Sequence, residues 1–490
     1  MINGVGSLTI CLGHYSPDYH PPSSPSNDSE ETFHSIRTWF QECDKRHPSC
    51  QPHQPDWRPT RLLYINGDPS KVFLVRGENM RRNERYISVS HRWGISGSIP
   101  RLTSERLAGF RRGLRLKSLP KSFRDCILVA RRLGVGYIWI DSLCIIQSGD
   151  DGRDWLQESS QMNHVYRNAY CNLMVSWASS SESIFATREP RVFDRLSIEL
   201  PIKQTGAEGP TTSLSFLSVE SELWATEVSD SPLNRRAWVT QERFLSRRNI
   251  HFARQEVFWE CAERAHCESV SDLRFSVSRG GGDTDDSHIK APHWKLPDRH
   301  KASADRYSSA DCSPSQLAGY LRWEDIVRVY TRAELTFPSD KLVALGGLAR
   351  HMKALLDDTY IAGLWLRHLH GNLLWHAGRD SEGTVMRPHF STPSCPHADV
   401  REQYRAPSFS WASTDDAMSS GELTIPERVL VEICCVKYRP SHIITQAESW
   451  KDEPIVDDLF GPFTEPVVEL RVTGRVFPAM LEKQPKYDCA

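Results

Sequence analysis

The chain has 490 residues, 39% of them hydrophobic and 25% charged, with a formal net charge of -2. That is enough apolar matter for a globular protein and more chain than one core usually covers, so two or three units are expected. The near-neutral balance argues against nucleic acid or an acidic membrane surface as partner, and no apolar run approaches the roughly 18–20 residues that span a bilayer.

Thirteen scattered cysteines do not make a disulfide framework, which points to a reducing cytosolic or nuclear setting, with the cytoplasm as the expected one. Residues 1–34 read as a disordered lead-in, because YSPDYHPPSSPSNDSEE (15–31) is Pro/Ser-rich and acidic. The next unit, 35–85, holds a helix from about Ser35 to Arg46, followed by RLLYINGDPSKVFLV. There the Asn66-Gly67-Asp68-Pro69 cluster between two apolar runs predicts a hairpin. Cys43, His47 and Cys50, with His53 beyond, are residue types that bind zinc. Their spacing is not that of a standard finger and Pro48 interrupts the helix, so packing is the expected role and no metal site is expected.

Residues 86–245 form the next unit, with 86–178 as its organised centre. YISVS is a short strand ending at His91-Arg92-Trp93-Gly94. SLPKSFRDCILVARRLG reads as a helix, with Pro120 in its first turn, apolar residues at threes and fours, and Gly134 to end it. VGYIWI is apolar on both faces, as a buried parallel strand is. Strand, helix, strand, loop and helix in succession define an α/β domain. Residues 246–319 hold a hairpin, NIHFARQEVFWEC, and a flexible Gly/Asp/Ser/His-rich insertion at 271–316. Cys261 and Cys267, flanking His266, are a weaker metal signal than the first group. Residues 320–490 are an α+β extension. It contains the helices WEDIVRVYTRAEL and SDKLVALGGLARHMKALL, the latter with Ser339 as N-cap, and a β-rich end in which Cys434-Cys435 reads as packing.

In an open parallel sheet, ligands gather beyond the carboxyl ends of the strands. Asp141 follows the VGYIWI strand directly, and Ser90 and His91 take the equivalent place after YISVS. Asp141 is there either to meet a ligand or to anchor a loop. On a helical wheel of 152–169, Trp155, Ser159, Met162, Val165, Tyr166 and Ala169 share one arc, and Glu158 falls inside it. A carboxylate so placed loses hydration unless it is paired or lines a cleft. It is therefore a structural ion pair, with Arg124 and Arg131 as candidate partners, or a site residue. No phosphate-binding loop, nucleophile elbow, H-E-x-x-H motif or basic stripe is present.

Three blocks in order make the chain resemble the fungal heterokaryon incompatibility (HET) domain proteins: YISVSHRWG (86–94), LPKSFRDCILVARRLGVGYIWIDSLCIIQSGDDGRDWLQESSQMNHVYRNA (119–169) and LNRRAWVTQERFLSRRNIHF (233–252). WFQECDKRHPSC before them, and LTFPSDKLVALGGLA, YIAGLW and YRAPSFSWAS after them, are similar to the usual flanks. His91 and Ile146 depart from the common forms of the blocks. The resemblance implies an effector of non-self recognition and programmed cell death, acting with other incompatibility proteins or by self-association. It also implies a TIR-like (flavodoxin-like) parallel-sheet domain. If that likeness extends to TIR domains that cleave NAD, Glu158 matches the catalytic glutamate and NAD is a substrate, with no resident cofactor. Ser90, Trp93, Gly94, Asp141 and Trp155 are then the substrate-binding candidates. The other reading of Trp93-Gly94 is a turn with a packing aromatic.

Overall fold

The computed structural model describes residues 22–93 (except 52, 53 and 55), 99–188, 224–269, 313–377 (except 368 and 374) and 406–420 (except 408 and 416). It also describes strands at 197–202, 212–217, 431–438, 442–445 and 468–474. The insertion expected at 271–316 lies almost wholly outside the described residues, as do His53 and Gly94.

Helix α1, Glu30–Arg46, starts earlier than expected. Ser29 caps it by accepting from Thr32 N–H, and Glu30 and Glu31 sit in the first turn, where the helix dipole favours negative charge. The acidic, serine-rich run is thus a helix start, and residues 22–34 are not a disordered lead-in. Asn27 is buried, donating to Ala253 O and accepting from Ala186 N–H.

The strands are β1 (Arg61–Asp68), β2 (Lys71–Arg76), β3 (Tyr86–Ser90), β4 (Leu114–Arg115), β5 (Tyr137–Trp139) and β6 (Cys171–Val175). A separate antiparallel hairpin, β7 (Ser197–Ile202) with β8 (Thr212–Leu217), precedes β9 (Arg248–Phe252), β10 (Val257–Cys261) and β11 (Ala265–Cys267). Nine of these make one sheet in the order β11-β10-β9-β6-β3-β5-β1-β2-β4. Its centre, β9-β6-β3-β5, is parallel and both margins are antiparallel. The predicted hairpins are β1-β2 and β9-β10. Strands from 61–68 through 265–267, apart from β7 and β8, therefore share one sheet.

Among the parallel strands, chain order gives the sheet order 2-1-3-4. The direction of winding reverses between β3 and β6, which makes that edge the switch point. Helices cover both faces, as side-chain alternation along the strands shows. Tyr86 donates its hydroxyl proton to Val165 O of α5 (Arg153–Asn168), and Trp139 meets Tyr166 of the same helix edge to face. On the opposite face Trp259 meets Phe40 of α1. Helix α2 is Leu107–Arg112. Helix α3, Lys121–Arg132, links β3 to β5 and ends at Gly134, whose φ of 72° is the left-handed C′ conformation expected of it. A short α4, Asp141–Cys144, follows β5.

Helix α6, Ala237–Leu245, buries every residue except Trp238 and Phe244, which are half-buried. Of its four consecutive polar residues, Thr240 to Arg243, the last three meet different partners. Gln241 accepts from Gly347 N–H, Glu242 faces the end of β3, and Arg243 pairs with Glu260. Beyond it, α7 (Pro314–Thr331) and α8 (Val343–Leu356) pack on α6. A Cβ on Gly347 would lie 2.3 Å from Gln241 Oε1, so this glycine sets the close approach of α8 to α6. Ser339 is not the N-cap of α8. It lies within a 3-10 turn, Pro338–Asp340, and α8 opens from Leu342. The remaining described strands pair antiparallel, including Val431–Tyr438 between His442–Thr445 and Val468–Gly474. Among the described residues no helix is long and apolar enough to cross a membrane.

Glu256, fully buried before β10, accepts from the backbone N–H and hydroxyl of Ser269. Burial, with a contribution from the nearby Glu268 charge, pushes its pKa up to about 6 against these bonds. The folded value lies above the ordinary 4.5. Its stabilising contribution is therefore complete below about pH 4.5 and is lost as pH rises through about 6, a change of about 2 kcal/mol. Glu256→Gln should flatten that part of the stability–pH curve measured by urea unfolding. An unchanged slope would refute the assignment.

Candidate functional site

Side chains from β3, the β5–α4 junction, β6 and α6 converge at the carboxyl edge of the parallel strands. Asp141 is their hub. Its Oδ1 accepts from Ser142 N–H at 2.6 Å and faces His91 Nε2 at 2.9 Å, and its Oδ2 accepts from the Trp93 indole N–H at 2.7 Å. His91 Nδ1 faces Arg92 O at 3.2 Å. Both ring nitrogens thus face oxygen atoms, which fixes the orientation of the imidazole. Arg236 donates to His91 O, binding the start of α6 to the end of β3. Burial works to raise the Asp141 pKa. His91, the Arg236 charge and the Trp93 hydrogen bond outweigh it and hold the carboxyl below its ordinary value.

Behind this hub lies a buried polar stripe, permitted because every strand contributes alternate residues to one face. Ser88 Oγ donates to Asn172 Oδ1, and Asn172 Nδ2 donates to Ser90 Oγ. Ser90 and Tyr166 lie close enough to the Glu242 carboxyl to influence it. Burial raises the Glu242 pKa, and Arg236 and Ser90 only partly offset it. One carboxyl held low and another held high around a shared arginine is a pattern typical of sites that handle charge or protons.

Of the sequence candidates, Ser90, Trp93 and Asp141 come together here, while Trp155 and Glu158 do not join them. Trp155 meets Trp238 of α6 edge to face, with ring centres 6.3 Å apart. Glu158 is buried, as its place on the wheel requires, and its partner is Arg61 of β1 rather than Arg124 or Arg131. Arg61 Nη2 lies 3.5 Å from Glu158 Oε1 and also pairs with Asp154, while its Nε donates to Cys144 O. Burial raises the Glu158 pKa, opposed by a Thr60 hydrogen bond and the Arg61 charge. Asp141 accepts from three donors, so its loop-anchoring role is realised; it also orients His91 and Trp93. Trp93 is half-buried, with the Arg101 guanidinium 5.1 Å from its ring centre.

Sequence reasoning missed Arg236, Glu242, Tyr166 and Asn172. For Glu242 the available signal was TQER inside AWVTQERFL, since four consecutive polar residues in one short helix span most of its circumference.

A second constellation was expected to be packing. Cys43 and His47, one turn apart at the end of α1, are joined by Cys50 and by Cys261 at the end of β10. All four residues are buried and their ligand atoms lie within 4.8 Å of one another. Pro48 does not disrupt the group: it ends α1 and opens a 3-10 turn, Pro48–Cys50, that brings Cys50 back. His266 instead stacks on Trp39, and Cys267 meets Ser269.

The family model described as Heterokaryon incompatibility protein (HET) matches residues 86–242, a little under a third of the chain. The match runs from the first residue of β3 to Glu242. No curated protein and no solved structure matches the chain.

Proposed function

Since the chain belongs to the heterokaryon incompatibility family through its HET domain, we propose that it is an effector of fungal non-self recognition whose HET domain sets off a cell-death response. The observation that carries the choice of working site is the convergence of His91, Trp93, Arg236 and Glu242 on Asp141 at the switch point of the sheet. In this reading Asp141 and Arg236 fix His91 and the Trp93 indole at the domain edge, where a ligand or partner is met. The protein acts in the cytoplasm, with other incompatibility proteins or a second copy of itself as partner.

NAD hydrolysis is the second reading. The 2-1-3-4 strand order favours it, being that of flavodoxin-like and hence TIR-like domains. A carboxylate would have to stabilise the ribosyl cation as nicotinamide leaves. Glu158 is turned to Arg61, so within this fold Glu242 and Asp141 are better placed for the role.

Expression of wild type, Asp141→Asn, Trp93→Phe and Glu158→Gln in fungal cells, with viability and NAD measured together and folding checked by thermal melting, tests both. Loss of killing in folded Asp141→Asn and Trp93→Phe, with NAD constant throughout, supports a non-hydrolytic effector. A fall of NAD about tenfold or more with wild type but not with Asp141→Asn supports the hydrolase. Undiminished killing by Asp141→Asn and Trp93→Phe overturns the site.

A further inference from the structure

We infer that Cys43, His47, Cys50 and Cys261 form a structural zinc site that ties the N-terminal helix to the far margin of the sheet. Three thiols and an imidazole are a donor set that selects zinc, and structural zinc sites are closed, four-coordinate and tetrahedral. At a zinc–sulfur distance of about 2.3 Å the donors of a tetrahedron stand about 3.8 Å apart. The four donor atoms here all lie within 4.8 Å of one another and are buried, so adjustments of about an ångström or less in side-chain position close the site. His47 Nδ1 faces Cys261 Sγ at 3.4 Å.

The surroundings fit a bound thiolate cluster rather than three packed thiols. Arg264 N–H donates to Cys261 Sγ at 3.3 Å, and the buried Arg248 donates from Nε to Cys43 Sγ at 3.2 Å. Donors aimed at metal-bound sulfur are the usual outer shell of such sites. Zinc with three thiolates and a neutral histidine carries one net negative charge, which the Arg248 guanidinium, also paired with Asp44, offsets in part. Arg247, which donates to Cys50 O, adds a second cation nearby.

The placement also gives the ion a mechanical task. Cys43, His47 and Cys50 belong to α1 and its closing turn, whereas Cys261 ends β10, 214 residues after His47. All four ligands lie outside the 86–242 match, so the ion would clamp together two segments that flank the HET domain. On binding, each cysteine thiol loses its proton to solvent and forms a zinc–sulfur bond, with no change of oxidation state.

The full chain, purified under reducing conditions after growth with zinc, should contain about one zinc per chain by elemental analysis. Its cobalt-substituted form should show the intense visible bands of a tetrahedral thiolate site. Cys261→Ser and His47→Ala should bind zinc at least about tenfold more weakly, while Cys267→Ser, outside the cluster, should bind as wild type does. Should the variants fail to fold, chelator treatment of wild type provides the second measurement, and a lower melting temperature reversed by added zinc is expected. Wild type that takes up no zinc under reducing conditions overturns the proposal. So does protein isolated with a disulfide among these cysteines, or zinc retained in full by folded Cys261→Ser.

Discussion

Replacing Arg243 with methionine is expected to destabilise the protein by about 3–5 kcal/mol, read from urea unfolding at neutral pH. Arg243 and Glu260 are among the most buried charges of the molecule, 2% and 1% exposed, with Nε and Nη2 of the arginine donating to separate carboxylate oxygens at 3.0 and 2.9 Å. Glu260 also accepts from Asn249 and faces His251. Methionine keeps the apolar stem but leaves the carboxylate without its cation inside the sheet–helix interface. The cost arises from the stranded charge and not from lost area, so Arg243→Met with Glu260→Gln should recover more than half of it. A single variant costing under about 1 kcal/mol, or a double variant no better than the single, would show that the pair does not hold α6 to β10.

Arg61→Met should have the next largest effect, about 3 kcal/mol, because one guanidinium serves two carboxylates. Glu158 is 3% exposed and Asp154 15%, so in the variant both face the core margin with no cation between them. Burial already holds the Glu158 pKa above its ordinary value, and removing Arg61 raises it further. A carboxyl with a raised folded pKa gives stability that is complete at low pH and lost as pH rises through that pKa. The deficit of Arg61→Met relative to wild type should therefore grow from acid to neutral pH, and Glu158→Gln in the same background should shrink it. By itself Glu158→Gln should change stability by about 1 kcal/mol or less, since Arg61 keeps Asp154. A deficit independent of pH would mean that Glu158 is not the group that Arg61 serves. This experiment also separates a structural role from a catalytic one: loss of killing in Glu158→Gln with stability intact would return the residue to the working site.

Local chemistry made much of this protein legible before any tertiary structure. Helix α3 was readable because its apolar residues recur at threes and fours between Pro120 and Gly134. The β1-β2 hairpin followed from apolar runs joined by the Asn66-Gly67-Asp68-Pro69 turn, and the β9-β10 hairpin from two apolar runs around a short polar break. The burial of Glu158 followed from the wheel, and the place of Asp141 from the end of an apolar strand. Each of these depends on period, cap or turn, properties of neighbouring residues that no distant contact has to supply.

Partners are another matter. Periodicity says which face a residue occupies but not what stands opposite, because that depends on crossover and register across the sheet. Arg61 rather than Arg124 meets Glu158 because β1 enters the sheet antiparallel beside β5. Glu242 reaches Ser90 because α6 lies over β3 and β6. Cys261 completes the Cys43, His47 and Cys50 group because β10 folds back against α1. Period, cap and turn in the chain were enough for most elements and for the burial of Glu158. Tertiary structure alone decided which charges and ligands meet, since burial makes an unpaired group costly wherever its partner lies along the chain.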